Sequence, residues 1–167
     1  MLFRSMFSSP EAALRFAFRM REKAIVSTPS GVFLSKDKFK SPNAMRLTAY
    51  DFHAQAGMIF GRINRMADDQ QAWVYLNYGN GKERRECAKF ISGRLTGNPE
   101  AVKFGLGQTE IRKVLLSSSV RQCSKETGLT NYKSWKIRGS LHADLEPLMM
   151  RTLEDLWSWL TSGQKKD

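Results

Sequence analysis

The stretch of this sequence with the clearest chemical character is residues 123–139, CSKETGLTNYKSWKIRG, where a glycine separates a short polar segment from a lysine-rich one. A helix-turn-helix needs a small residue where its two helices cross, a glycine at the turn and apolar residues beneath the second helix. With the unit starting at Val120, Ser124 takes the crossing position and Gly128 takes the turn. The inward positions are taken by Cys123, Leu129 and Ile137. The spacing therefore predicts a helix-turn-helix over residues 120–139.

In this register, six side chains are predicted to contact double-stranded DNA: Thr130, Asn131, Tyr132, Lys133, Lys136 and Arg138. Asn131 can read adenine, the lysines can bind guanine or phosphate, and Arg138 can hold the DNA backbone. One position departs from the usual pattern, because Ser134 stands where a recognition helix commonly has an aliphatic residue, with Trp135 next to it. The sequence therefore does not define which side of this second helix faces the protein. The alternative is a helical hairpin whose lysines are simply solvated.

The charge of the chain favours nucleic acid as the partner. The formal net charge is +11, from 27 Lys and Arg against 16 Asp and Glu. Residues 1–46 hold nine basic and three acidic side chains, and residues 111–139 hold seven and one, so most of the excess lies in two blocks. Clustered cations release counterions from phosphate polymers and steer association with them. The alternative is a basic surface that only keeps the protein in solution.

Short sequence signals divide the chain into helices joined by turns. Ser9 with Pro10 predicts a helix that reaches about residue 24, and Asn98 with Pro99 predicts the start of another. Glycines indicate several of the turns, including Gly128. The sequence shows no internal repeat and no convincing strand pair, apart from a short extended piece expected around residues 32–34. The predicted fold class is therefore all-α.

We expect a basic N-terminal helix and arm over residues 1–46, followed by a compact multi-helix domain over residues 47–167. The last helix should begin at Asp144 or Glu146, because Pro147 is acceptable only in a first turn. Its apolar face should pack against the helix-turn-helix, with dimerisation as the alternative. That face comprises Leu153, Leu156, Trp157 and Leu160.

Further cations are predicted on the solvent-facing sides of two other helices. Those of the N-terminal helix are Arg15, Arg19 and Lys23. Those of the helix over residues 82–95 are Arg84, Arg85, Lys89 and Arg94, with Cys87, Phe90, Ile91 and Leu95 facing inward. Exposed cations outside the helix-turn-helix are available for a second macromolecular contact.

The sequence offers little support for an enzyme. His53, His142, Cys87 and Cys123 have no metal-ligand spacing. The acidic pairs 68–69 and 154–155 fit helix capping or a solvated face. We predict no catalytic residue, no metal and no cofactor.

Three aromatic residues at helical spacing are expected in the core, with a base-stacking platform as the alternative: Trp73, Tyr75 and Tyr78. With no membrane span or signal peptide expected, we predict a soluble, cytoplasmic protein.

A family resemblance is carried by four successive segments: AWVYLNYG, the basic helix KERRECAKFISGRL, SVRQCSKETGLTNYKSWKIRG and a terminal amphipathic helix. Their order over roughly residues 48–160 resembles the Q-type late-gene transcription antitermination proteins of bacteriophages and prophages, including the AlpA-like regulators of lysis cassettes. The chain departs from zinc-binding members because it lacks a CxxC pair. Its basic segment before residue 47 has no counterpart in the resemblance.

The resemblance implies a protein that binds DNA beside a promoter, loads onto bacterial RNA polymerase and promotes readthrough of terminators. In that case, the basic segments of residues 15–23, 36–46 and 82–94 are expected to face the polymerase or nascent RNA. A conventional helix-turn-helix repressor or activator and a small RNA-binding protein are the alternatives. The DNA sequence recognised, the polymerase surface engaged and the oligomeric state stay open.

Overall fold

Residues with distinct capping chemistry set several helix boundaries in the computed structural model, which describes residues 7–22 and 49–162. The Oγ of Ser9 accepts a hydrogen bond from the amide of Ala12, 3.2 Å away, and Pro10 begins the first helix. Asn98 accepts hydrogen bonds from the amides of Glu100 and Ala101 with its side-chain oxygen. Side-chain acceptors and N-terminal prolines thus begin helices where the sequence predicted.

The described residues form eight α-helices and no strand. Their bounds are α1 Pro10–Glu22, α2 Ala49–Ile63, α3 Asp68–Tyr78, α4 Gly81–Arg94, α5 Pro99–Lys103, α6 Gln108–Leu116, α7 Val120–Thr127 and α8 Asn131–Ser162. The predicted all-α class is confirmed. The extended piece expected at residues 32–34 lies outside the described residues.

The helices share one apolar core. α1 packs against α2, α3 packs against α4, and α4 packs against α6. α8 contacts α1, α3, α5, α6 and α7, so it forms one long side of the core. Fully buried side chains come from helices along the whole described chain, among them Leu14, Ile59, Val74, Ile111 and Leu156.

Arg21 holds the end of α1 against the body of the protein. Its guanidinium donates to both carboxylate oxygens of Glu83, at 3.1 and 2.5 Å. The same group lies 5.0–5.8 Å from the ring centroids of Phe18, Phe60 and Tyr75, within the range of a cation–π contact. The basic N-terminal helix therefore packs into the same core as the helices that follow residue 47.

α8 is a single helix of 32 residues, so the prediction of a separate terminal helix beginning at Asp144 or Glu146 was wrong. Pro147 lies inside α8 and is exposed, as is Ala143 one turn earlier, so water can reach the carbonyl that proline leaves without a helical partner. An unbroken stripe of buried and half-buried residues runs through both halves: Ile137, Leu141, Leu145, Leu148, Thr152, Leu156 and Leu160. Packing of this stripe offsets the local cost of proline, which is about 3 kcal/mol in a helix interior.

The apolar face at the end of α8 does not pack against the turn before Asn131. Leu156 lies 19 residues after Ile137, which is about 29 Å along a helix that rises 1.5 Å per residue. The far half of α8 is instead linked to the N-terminal helices, through ion pairs of Arg62 with Asp155 and of Arg151 with Asp69. Leu156 and Leu160 of that face are buried in the core of this chain, and Leu153 and Trp157 are half-buried against the same core.

Candidate nucleic-acid interface

A three-residue connection joins α7 to α8. α7 ends at Thr127, and Gly128 adopts a left-handed conformation with φ +73°, which glycine accepts without steric cost. The amide of Gly128 donates to the carbonyl of Ser124 at 2.9 Å, and the Ser124 hydroxyl donates to the carbonyl of Leu129 at 2.5 Å. Ser124 and Gly128 thus fix the turn at the positions where the sequence pattern put a crossing residue and a glycine.

Three side chains beneath this connection are fully buried: Cys123, Ser134 and Ile137. The rotation of α8 that the sequence left open is therefore defined, with Ser134 facing α7 and Trp135 facing solvent. The Ser134 hydroxyl has no hydrogen-bond partner among the described residues. A buried hydroxyl left unpaired in this way costs about 1–3 kcal/mol.

Replacing Ser134 with Ala is expected to raise the free energy of unfolding by about 1 kcal/mol. The change removes an unpaired hydroxyl, and alanine has the highest helix propensity. Ser92→Ala is the matched control, because Ser92 is equally buried but its hydroxyl donates to the carbonyl of Lys89 at 2.9 Å. Urea unfolding of the two variants measures the difference. A less stable Ser134→Ala variant would show that the hydroxyl is hydrogen-bonded in the folded protein.

The outward face of the first turns of α8 is basic and aromatic. Four of its side chains are exposed: Asn131, Tyr132, Lys133 and Trp135. The ring centroids of Tyr132 and Trp135 lie 6.4 Å apart. The Nζ of Lys133 lies 5.7 Å from the ring centroid of Phe104, and Lys136 forms an ion pair of 3.4 Å with Glu100. Lys133 is thus the more exposed of the two predicted lysines, while Lys136 is half-buried beside a carboxylate.

Besides the two lysines, two more of the six predicted DNA contacts are engaged within the protein. The hydroxyl of Thr130 accepts a hydrogen bond from the amide of Lys133 at 3.3 Å and so caps α8. Arg138 donates to the carbonyl and the hydroxyl of Ser117, at 2.8 and 3.0 Å. Arg138 therefore joins α8 to the end of α6.

The sequence interpretation missed three exposed residues on this surface. Arg121 and Lys125 are exposed on α7, one turn apart and opposite the buried Cys123. Each is two residues from the predicted inward Cys123, which puts both on the opposite side of a helix, and this spacing could have found them. Trp135 was noted only as a neighbour of Ser134, yet 64% of it is exposed. We call Arg121, Lys125, Asn131, Tyr132, Lys133, Trp135 and Lys136 the α7–α8 face.

The charge along α8 changes sign after this face. Residues 131–139 contain Lys133, Lys136 and Arg138 and no acid, whereas residues 140–162 contain four acids and one arginine. An acid-free stretch of nine residues is about 13.5 Å long, close to the width of about 12 Å of the DNA major groove. Only the first part of α8 is electrostatically suited to lie against phosphates.

The second predicted set of cations divides into four groups. Arg15, Arg19, Arg85 and Lys89 are exposed, and the Arg21–Glu83 ion pair links their two helices, α1 and α4. Arg94 is paired with Asp69 at 3.1 Å and lies 5.0 Å from the ring centroid of Phe90. Lys23 lies outside the described residues. Arg84 is the exception on α4, because it is half-buried and its Nε has no hydrogen-bond partner among the described residues.

The register of α4 explains the position of Arg84. Of the predicted inward face, Ile91 and Leu95 are buried and Cys87 is half-buried against the core, but Ala88 and Ser92 are buried as well. Arg84 is one turn before Ala88 and so continues the buried stripe. Phe90, predicted inward, is 44% exposed. The correct face is marked by a small residue and a serine, which hydrophobicity alone does not select.

A pocket of about 360 Å³ lies between α8 and helices α3, α4 and α6. Arg84 and Arg138 line it together with His142, Glu146 and the apolar side chain of Trp73. Both arginines therefore lie on the inner side of α8, where they contribute to packing between helices.

The aromatic residues of α3 pack in the core and form no exposed platform. Trp73 is buried, and the ring of Phe18 lies 5.5 Å from that of Tyr75 and 6.1 Å from that of Tyr78. Burial raises the pKa of both tyrosine hydroxyls.

Burial, and then the carboxylates of Glu83 and Glu86, raise the pKa of the Cys87 thiol. Within residues 7–22 and 49–162, no three His, Cys, Asp or Glu side chains are grouped to hold a metal ion.

Asp69 joins three helices by accepting hydrogen bonds from two arginines. Arg151 of α8 donates to its Oδ2 at 2.7 Å and Arg94 of α4 at 3.1 Å, while the amide of Gln70 donates to Oδ1. Burial by itself raises the pKa of Asp69, but these hydrogen bonds and the charge of Arg151 outweigh it, so the pKa is lowered. The carboxylate form is therefore favoured in the folded protein.

Because the folded pKa of Asp69 lies below its ordinary value of 3.8, its contribution to stability is present above about pH 4 and is lost as pH falls through the folded pKa. Asp69→Asn is expected to cost about 1 kcal/mol or less at pH 7, since both arginines are more than half exposed. The difference from wild type should shrink at pH 3. Urea unfolding at the two pH values checks this, and Arg151→Gln should weaken the same pH dependence. A difference that persists unchanged at pH 3 would contradict the role of the carboxylate.

Comparisons of the chain with protein-family models, with curated proteins and with solved structures found no match. α8 has the length to cross a bilayer, but neither it nor any other described helix is apolar enough to do so. A proposal for the function therefore rests on the geometry of the α7–α8 face and on the family resemblance of the sequence.

Proposed function

We propose that this protein is a DNA-binding transcription antitermination factor whose α7–α8 face binds double-stranded DNA. The observation that carries the DNA-binding proposal is the acid-free start of α8, which lies on the protein surface after a turn fixed by Gly128 and Ser124. In a helix-turn-helix the first residues of the second helix contact base edges, while the first helix crosses the backbone. Lys133 and Asn131 then contact DNA from α8, and Arg121 and Lys125 contact phosphates from α7.

Action on transcribing RNA polymerase is the second part of the proposal, and it rests on the resemblance to Q-type antitermination proteins. Exposed cations outside the α7–α8 face support it, because a small recognition helix does not require them. These are Arg15, Arg19, Arg85 and Lys89. We propose that they contact the polymerase or nascent RNA after the α7–α8 face has loaded the protein at DNA.

Two measurements test the two parts separately. Selection from a randomised duplex library, followed by titration at two salt concentrations, should recover a preferred sequence bound with a strong salt dependence. Transcription with bacterial RNA polymerase on a template that carries this sequence upstream of a terminator should then give more readthrough when the protein is present. Tight DNA binding without readthrough would favour a conventional repressor or activator. Preference for RNA over duplex DNA at equal salt would favour an RNA-binding protein.

A further inference from the structure

Two large aromatic side chains stand side by side at the centre of the α7–α8 face. Tyr132 is 66% exposed and Trp135 is 64% exposed, and their ring centroids lie 6.4 Å apart at an interplanar angle of 33°. Both residues belong to the first two turns of α8 and face solvent, whereas Ser134 and Ile137 of the same turns are fully buried. Aromatic side chains contribute most to binding when a partner removes them from water, so an adjacent exposed pair marks a contact surface.

The charges around the pair select a polyanion as its partner. On α8, Lys133 follows Tyr132 and Lys136 lies one turn after it, and on α7 the exposed charged residues are Arg121, Lys125 and one acid, Glu126. A second copy of this chain, related by two-fold symmetry, would place the same basic surface against itself, which like charges oppose. With a nucleic acid, in contrast, the cations can bind the phosphates while Tyr132 and Trp135 contact the bases.

We infer that Tyr132 and Trp135 read the 5-methyl groups of thymines in the DNA major groove, an inference that rests on duplex binding by the α7–α8 face. The 5-methyl group of thymine is the apolar feature that a base pair presents in this groove, and apolar side chains recognise it by contact. Asn131 precedes the pair on α8, and its amide matches the N6 and N7 of adenine. The face therefore prefers a short run of A·T pairs, with thymine methyls beneath the two rings.

The experiment compares thymine with deoxyuridine, which lacks only the methyl group. A duplex obtained from the randomised library is resynthesised with deoxyuridine in place of each thymine in turn, and affinity is measured by fluorescence anisotropy at one salt concentration. Loss of a buried methyl should weaken binding by about fourfold at the contacted positions. Trp135→Ala or Tyr132→Ala should bind more weakly and lose this difference between thymine and deoxyuridine.

Tyr50→Ala is the matched control, because Tyr50 is 67% exposed and lies on α2. This variant should keep the wild-type preference for thymine. Failure of the wild-type protein to bind any duplex would overturn the proposed function itself. Duplex binding that is indifferent to deoxyuridine would overturn the methyl inference alone. Tighter binding to the single strand, abolished by Trp135→Ala, would show base stacking in place of methyl contact, and loss of a dimer in that variant would show a protein interface.

Discussion

Replacing Leu156 with Ala is expected to lower the free energy of unfolding by about 2–5 kcal/mol, the range for truncating a fully buried leucine. Leu156 is completely buried, and it belongs to the stripe along which α8 packs against the other helices. In a domain of this size, such a loss corresponds to a fall of about 4–20 °C in melting temperature. Urea and thermal unfolding followed by circular dichroism measure both quantities.

Met150→Ala provides the control for Leu156→Ala on the same helix. Met150 is 48% exposed, so its truncation should change stability by less than about 0.5 kcal/mol. Analytical ultracentrifugation of both variants adds the association state. Unchanged stability of Leu156→Ala, together with loss of a dimer, would place this face at an interface between copies and contradict its burial within one chain.

Replacing Arg121, Lys125 and Lys133 together with Ala should reduce duplex affinity by about 10²–10³-fold at 0.1 M salt. Each lost phosphate contact lowers the salt slope by about 0.9, so three contacts lower it by roughly 2.7. All three side chains are exposed on the α7–α8 face, and exposed substitutions seldom alter stability by more than about 0.5 kcal/mol. Affinity measured at several salt concentrations gives both the loss and the slope.

A second triple variant, Arg15→Ala with Arg19→Ala and Lys89→Ala, removes the same charge from exposed positions on α1 and α4. If the proposed division of the surface is correct, this variant keeps its DNA affinity within about threefold and loses terminator readthrough. The α7–α8 variant should lose both properties, because loading precedes readthrough. Equal losses of DNA affinity in the two variants would show that net charge, and not the α7–α8 face, governs binding.

The long helix α8 contains residues of both predictions, Lys133 near its start and Leu156 near its end. Its first turns carry the exposed aromatic and basic side chains, and its last turns bury Leu156 and Leu160 in the core. α8 is continuous over 32 residues, and its first and last turns share one buried stripe, so the core fixes the position of its start. We therefore expect the α7–α8 face to be held rigidly, which lowers the entropic cost of ordering it on DNA.

The sequence by itself determined the features that depend on neighbouring residues. Asn98 with Pro99 begins α5, and Gly128 ends α7 in a left-handed conformation, because capping and positive φ are properties of a few consecutive residues. The predominance of helix followed from the spacing of apolar residues. The turn at Gly128 and the burial of Cys123 and Ile137 could be predicted for the same reason.

Only the tertiary structure decided which of two locally plausible conformations or faces was adopted. Pro147 predicts a helix start, but the buried stripe on both sides of it keeps α8 continuous. Arg84 fits a solvent-facing position by sequence, but packing rotates α4 so that Ala88 and Ser92 are buried and Arg84 lies beside them. In each case the contacts come from residues distant in sequence, which local spacing does not specify.

The candidate interface divides in the same way. Its position, its charge and the exposed Asn131, Tyr132 and Lys133 follow from sequence, because an amphipathic pattern defines which side of a short helix faces water. Burial of Ser134, exposure of Trp135 and attachment of Arg138 to Ser117 depend on the packing of α8 against α6 and α7. The sequence thus determined where a basic helix begins, and the tertiary structure decided which of its side chains are free to meet a partner, because burial depends on what the rest of the chain places against each face.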